Sequence, residues 1–254
     1  MRHNLPTIII PIFLFLCTLT GHTQNFWEPL GAPGGVNTHA LAVTTDGTIY
    51  IGGSSSTSTN GVYRLTPGGT GWEYLGLTDK IISTLETTPT GEIFVGAQNI
   101  IFKSIDSGNT WNQVYVGGIA NWITIKAFEN GLIFAGSCNA LRSSDNGETW
   151  DTVFQTSGNE AIYDFARAPD GTIYMGTTNY FNGGGVYRSP DNGTTWEYIG
   201  LPNEQIMSVV VNAAGEVFAG GYTNGIFKYD GSGTSWTLLK NNISAVKMII
   251  NSQG

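Results

Sequence analysis

Glu86 and Asp164 fall on β-prone runs of this sequence and Glu160 lies just ahead of one, and carboxyl groups so placed could cleave a glycosidic bond. That reaction asks for two Asp or Glu side chains about 5–10 Å apart across a cleft, one protonating the leaving oxygen and the other attacking or activating water. Acids on the inner strands of a repeating sheet also bury against the next sheet or line a water-filled axis, so residue type alone assigns no catalytic residue. Other chemistries have fewer parts. Beyond residue 24 the chain keeps one histidine, His39, and one cysteine, Cys138, and no stretch has the oxygen-ligand spacing of a calcium loop, so no metal site is expected. The run Gly183-Gly184-Gly185 joins two strands and opens no helix, so neither a phosphate loop nor a cofactor is expected. His39 reads as a hydrogen-bonded strand residue.

A second group of residues suits binding. Trp122, Tyr163, Asp164 and Tyr222 belong on or near one rim, joined by Asn179, Tyr180 and Phe181 from a glycine-flanked loop. Aromatic rings stack on apolar faces while amide and carboxylate groups fix orientation, a mixture that fits a glycan or an extended polypeptide. Packing between sheets would claim Trp122 and Tyr163 equally well. The net charge of −8, with no clustered Lys or Arg, argues against nucleic acid or an anionic membrane surface as partner.

The elements that must position these side chains are repeats. Ser104–Trp111, Ser143–Trp150 and Ser189–Trp196 spell one motif, S-x-D-x-G-x-T-W, and blurred copies end at Trp72 and Trp236. With Trp27, the tryptophans stand 39 to 46 residues apart, the spacing of propeller blades or solenoid units. A second landmark keeps the same beat: a glycine turn and a short β-prone run ending in glycine, as in Gly91-Glu92-Ile93-Phe94-Val95-Gly96. Each unit reads as four short strands; in the second, A covers about 81–88, B 92–97, C 99–104 and D 110–116. Links such as Asp46-Gly47 signal hairpins because glycine takes positive φ without steric cost. Ser and Asp side chains bond nearby backbone N–H groups in the C-to-D turn, and the tryptophan offers an apolar plate to wedge between sheets. Arg64, Lys103, Arg142, Arg188 and Lys228 recur just before that turn, as salt-bridging or snorkelling parts of the repeat.

The fold expected is all-β: a β-propeller of four-stranded antiparallel blades, radial repetition leaving only short, protected edges. The S-x-D-x-G-x-T-W strings resemble Asp boxes, or BNR repeats, of sialidases, xyloglucan-cleaving glycosidases, sortilin-type receptors and photosystem II assembly factors, and the likeness covers almost everything from Trp27 onward. It implies architecture more than activity, because that family hosts enzymes, receptors and assembly factors alike. The sialidase branch implies three arginines on a carboxylate substrate. Here three of the four arginines beyond residue 24 sit at the repeated strand C position, leaving Arg167 alone on an inner strand.

Strand counting gives five complete blades and an incomplete sixth. Trp27-Glu28-Pro29-Leu30-Gly31 matches the start of strand D in Trp72-Glu73-Tyr74-Leu75-Gly76, and Ser244–Ile250 begins a sixth strand A. The expectation is a C-terminally truncated copy of a ring of six or seven blades, in which the first D strand completes the last blade. Arg2 and His3 before an apolar run from Leu5 to about Leu19 read as a secretory signal over residues 1–24, leaving 25–254 as one propeller domain with no membrane span after cleavage. With Cys138 alone after cleavage no intrachain disulfide can form, so packing must hold the fold, and 41% hydrophobic residues against 12% charged supply it. The functional expectation is a monomeric binding module, secreted or on the cell surface of a Gram-negative bacterium, with glycan or extracellular protein as partner. A sialidase-like or xyloglucanase-like glycoside hydrolase and a structural spacer are the alternatives.

Overall fold

In the computed structural model the described residues are 31, 33, 36–55, 59–117, 123–156, 160–179 and 184–251. They form five four-stranded antiparallel sheets, each a meander in chain order. Blade 1 holds β1 (Val36–Val43), β2 (Ile49–Ser55), β3 (Gly61–Leu65) and β4 (Glu73–Tyr74). Blade 2 holds β5 (Ile82–Thr87), β6 (Ile93–Ala97), β7 (Ile100–Ser104) and β8 (Asn112–Val116). Blade 3 holds β9 (Thr124–Ala127), β10 (Ile133–Gly136), β11 (Asn139–Ser143) and β12 (Asp151–Gln155), with a single 3-10 turn at Glu129–Gly131. Blade 4 holds β13 (Glu160–Arg167), β14 (Ile173–Asn179), β15 (Gly185–Ser189) and β16 (Glu197–Tyr198); blade 5 holds β17 (Ile206–Val211), β18 (Val217–Gly221), β19 (Ile226–Tyr229) and β20 (Trp236–Lys240).

First strands of successive blades pack on one another: β1 on β5, β5 on β9, β9 on β13 and β13 on β17. The glycine that closes each strand B run sits at these seams. A methyl on Gly136 would lie 2.6 Å from Cγ2 of Ile162 in the next blade, and Gly52 and Gly176 face Ile82 and Ile206 in the same way; at Gly96 a methyl would meet Thr84 Cγ2 at 2.7 Å and Ile123 Cβ at 3.1 Å. Only hydrogen leaves room for the isoleucine, so this landmark is a socket. At Gly220 the knob is Ala245, whose N–H bonds to Gly221 O at 2.9 Å, so residues 245–248 run beside blade 5; the sixth strand A expected over residues 244–250 does not form.

Trp111, Trp150, Trp196 and Trp236 pack into the same seams. Trp111 and Trp236 donate their indole N–H to Leu75 O and Ile199 O of the preceding blade at 2.8 and 2.7 Å. Trp150 and Trp196 have buried N–H groups without a partner. The residue four positions after the preceding tryptophan separates the two cases: Gly76 and Gly200 leave the indole its carbonyl, whereas Tyr115 and Phe154 set a ring 6.4 and 6.2 Å from it. Those two seams have an aromatic contact where the others have a hydrogen bond.

Candidate functional site

One face of the blades is uniform. In the three full S-x-D-x-G-x-T-W turns a buried serine hydroxyl accepts the glycine N–H, as Ser143 does from Gly147 at 2.7 Å, and the aspartate accepts both the threonine N–H and hydroxyl, as Asp145 does from Thr149 at 2.9 and 2.6 Å. Hydroxyl donation from the threonine, then its backbone N–H and the serine hydroxyl, holds Asp106 and Asp145 at about 2; at Asp191 the backbone N–H leads to the same value. The repeated cations of strand C reach forward across the seam: Arg64 to Ser107 O at 2.9 Å, Lys103 to Asn146 O at 2.8 Å and Arg142 to Asn192 O at 3.2 Å. They also form ion pairs, Arg64 with Glu73, Arg188 with Glu197 and Lys103 with Glu148. The expected salt-bridging role is present, and the same side chains join neighbouring blades. Burial pushes Glu92 up, but hydrogen bonds from Thr88, Thr90, its own N–H and Asn146 of the next blade outweigh it and leave it at about 2. This face is architectural.

The opposite face varies. Its B-to-C and D-to-A connections bond to each other: Asn99 Nδ2 to Gly117 O at 2.9 Å, Thr156 Oγ1 to Cys138 O at 2.5 Å, Gly184 N to Glu204 O at 2.7 Å and Tyr222 N to Gln205 O at 2.9 Å. Of the residues expected here, Trp122, Tyr180 and Phe181 lie outside the described residues. Tyr222 follows β18 and is 50% exposed. Asn179 ends β14 opposite Glu160, and Tyr163 is the half-buried extra residue of a bulge between Ile162 and Asp164. The fold therefore brings Tyr163, Asn179 and Tyr222 to one end of blades 4 and 5.

Asp164 is 5% exposed and turned inward. Its Oδ2 accepts from Ser208 Oγ at 2.9 Å and Val209 N at 3.1 Å, and its Oδ1 lies 3.4 Å from Lys247 Nζ. Ser208 Oγ in turn accepts the Met248 N–H, so one carboxylate ties the inner strands β13 and β17 to the segment that follows blade 5. Glu86 does similar work between blades 2 and 3, accepting the Ala127 N–H at 3.1 Å and pairing with Lys126 at 3.1 Å. Glu160 stands apart at the variable end of β13, close enough to Tyr187 and Tyr198 for its charge to add to the burial that raises both phenols, Tyr198 to about 12. His39 Nε2 lies 2.9 Å from Ser54 Oγ, the hydrogen-bonded strand residue expected. Among the described residues no group of three His, Cys, Asp or Glu side chains could hold a metal, and no helix is long and apolar enough to cross a membrane.

Sequence reasoning missed the outer aromatic pairs. Tyr63 and Tyr74 lie 5.2 Å apart in blade 1, Tyr187 and Tyr198 5.2 Å apart in blade 4, and Tyr74 and Tyr198 are 40% and 37% exposed. A signal was available: Gly61-Val62-Tyr63-Arg64 is repeated as Gly185-Val186-Tyr187-Arg188, and Trp72-Glu73-Tyr74 as Trp196-Glu197-Tyr198.

Sheet number, strand order and seam geometry define the chain as a β-propeller. No family model matches it. A xyloglucanase from Paenibacillus sp is 29% identical over 185 residues, 70% of this chain and 17% of the relative, so the chain spans about a sixth of that protein's length. Among solved structures, YCF48 bound to D1 peptide superposes with a TM-score of 0.61 at 18% identity, covering 87% of this chain and 74% of that one. An ancestral GH74 enzyme does so with a TM-score of 0.66 at 19% identity, covering 85% and 33%. At such identities the structural likeness shows the fold alone.

Proposed function

We propose that the chain is a secreted or cell-surface β-propeller of the Asp-box (BNR-repeat) kind, residues 1–24 a cleaved signal and 25–254 one domain, whose variable face binds a glycan or an extracellular protein without cleaving it. The observation that carries the reading is the commitment of both inner-strand carboxylates, Glu86 and Asp164, to donors on neighbouring strands. One oxygen of each, Glu86 Oε1 and Asp164 Oδ2, accepts a backbone N–H and a second donor from the neighbouring blade, which holds the carboxylate as a tie between blades and away from a bound glycan. Tyr163, Asn179 and Tyr222, with Trp122, Tyr180 and Phe181, are the residues proposed to meet the ligand, and Asp164 fixes the bulge that carries Tyr163. A solved neighbour held with a peptide supports a polypeptide ligand, and a relative named a xyloglucanase supports a glycan.

That relative also favours a second reading, a glycoside hydrolase acting on extracellular glycan, for which Glu160 and Glu204 at blade 4 are the candidate acids, with Asp79 the exposed acid on the same face at blade 1. Incubating the purified chain with xyloglucan while measuring reducing ends, alongside glycan-array and peptide-array binding, separates the two. The expected outcome is array binding that Tyr222→Ala weakens about tenfold, a change of about 1.4 kcal/mol, with no reducing ends above buffer. Release of reducing ends that disappears in Glu160→Gln or Glu204→Gln would replace the binding reading by the hydrolase.

A further inference from the structure

The spacing of the tryptophans hides a longer period. Successive intervals from Trp27 to Trp236 are 45, 39, 39, 46 and 40 residues, so the long units recur every third blade. Blades 1 and 4 are the long ones, and they are near copies at an offset of 124 residues: Asp46-Gly47-Thr48-Ile49-Tyr50 recurs as Asp170-Gly171-Thr172-Ile173-Tyr174, and Gly61–Arg64 as Gly185–Arg188. Their geometry matches as well. In both, the outermost strand is cut to two residues, the chain turns through a left-handed leucine, Leu77 or Leu201, and a strand C glycine packs against the outer tyrosine, Gly61 on Tyr74 and Gly185 on Tyr198. Blades 2 and 3 instead run five residues in the outer strand and close strands B and C with the tight turns Gln98-Asn99 and Ser137-Cys138.

The proposed ligand residues that lie among the described ones, Tyr163, Asn179 and Tyr222, belong to blades 4 and 5, yet the features that set blade 4 apart from blades 2 and 3 are all present at blade 1. We infer that blade 1 carries a second ligand position, built on His39, Ser54, Thr59, Asn60, Tyr74 and Thr78, and that both positions take segments of one extended neutral glycan. The groups at blade 1 are hydroxyl, amide, imidazole and ring, with Tyr74 Oη already aligned by Thr78 Oγ1 at 2.6 Å; His39, Thr59, Tyr74 and Thr78 are exposed. Such side chains match the hydroxyls and apolar faces of uncharged sugars. The two positions differ in charge, since the balanced pair Asp79-Lys80 in blade 1 stands where blade 4 has Asn203-Glu204. A polymer that reaches both converts its second contact into an intramolecular one and gains avidity that a short oligosaccharide lacks.

The inference rests on the glycan form of the proposed function, and its test keeps the two apart. Binding of xyloglucan polymer and of its heptasaccharide to the full chain is measured by calorimetry for the wild type, Tyr74→Ala, His39→Ala and Tyr198→Ala. His39→Ala guards against a Tyr74 variant that fails to fold. Two heptasaccharides per chain, falling to one in each blade 1 variant with at least a tenfold loss of polymer affinity, is the expected result. One heptasaccharide per chain, unaffected by either blade 1 substitution and lost in Tyr198→Ala, overturns the second position and leaves the binding reading standing. No binding of either probe by the wild type removes the glycan reading and this inference with it.

Discussion

Asp145 occupies a turn with almost no cover, yet four donors within four residues of it are arranged around its carboxylate, and three of the four, the serine hydroxyl and the threonine N–H and hydroxyl, recur at Asp106 and Asp191. This much is legible in sequence because Ser, Asp, Gly and Thr act on their own backbone. The partners of Arg64, Lys103 and Arg142 are not, since each lies in the next blade, 43 to 50 residues away. The local chemistry makes a pH prediction. Each of the three aspartates is held at about 2, below the ordinary value of about 3.9. A depressed folded value means that the ionised carboxylate favours the folded state fully above about pH 4 and that this contribution fades as the pH falls toward 2. The thermal midpoint is therefore expected to stay level from neutral pH to about 5 and to drop between about 4 and 2. Asn at positions 106, 145 and 191 together should lower the neutral midpoint and flatten the acid limb; an equally steep limb in that triple variant, followed by circular dichroism, would contradict the assignment.

Strands are the level at which alternation and turn residues speak most clearly. The second unit, expected at about 81–88, 92–97, 99–104 and 110–116, forms Ile82–Thr87, Ile93–Ala97, Ile100–Ser104 and Asn112–Val116. Less legible were the short outer strands of blades 1 and 4, which end where Gly76 and Gly200 turn the chain, and the fate of each tryptophan N–H, which depends on a residue in the preceding blade. The glycine ending strand B was visible as a landmark, but its cause lies in a neighbouring sheet: Gly136 must admit Ile162. Gly136→Ala is expected to cost about 1–3 kcal/mol through overpacking, because the isoleucine branch meets the new methyl head-on. Ile162→Ala alone opens a cavity and costs about 2–5 kcal/mol. In the double variant the methyl enters the space left by the isoleucine, so the loss falls short of the sum by at least about 0.5 kcal/mol in urea unfolding. Strict additivity would deny the socket.

At the scale of the molecule, a rigid and repetitive scaffold is what made the fold readable and the site hard to read. Loops at one end of fixed strands are free to differ, so their chemistry follows no period that a sequence pattern could expose; the inner acids, which do lie on the periodic framework, prove to be ties between blades rather than free groups. The same nearest-neighbour logic sets where the array is weakest. Phe94 and Phe134 are fully buried under the following blade, whereas their counterpart Phe218 is only half-buried, and Leu238 and Leu239 on β20 are 48% and 52% exposed. Backbone amides of sheets covered on both sides open only with much of the array, while those of a sheet covered on one side open locally at lower cost. Hydrogen exchange followed by mass spectrometry is therefore expected to leave peptides over Ile93–Ala97, Ile133–Gly136 and Ile173–Asn179 protected longest and to exchange Trp236–Lys240 first among the ordered strands. Protection of β20 equal to that of β6 would mean that the blades do not share stability in this stepwise way and that a contact on the outer side of blade 5 stands in for a neighbouring sheet.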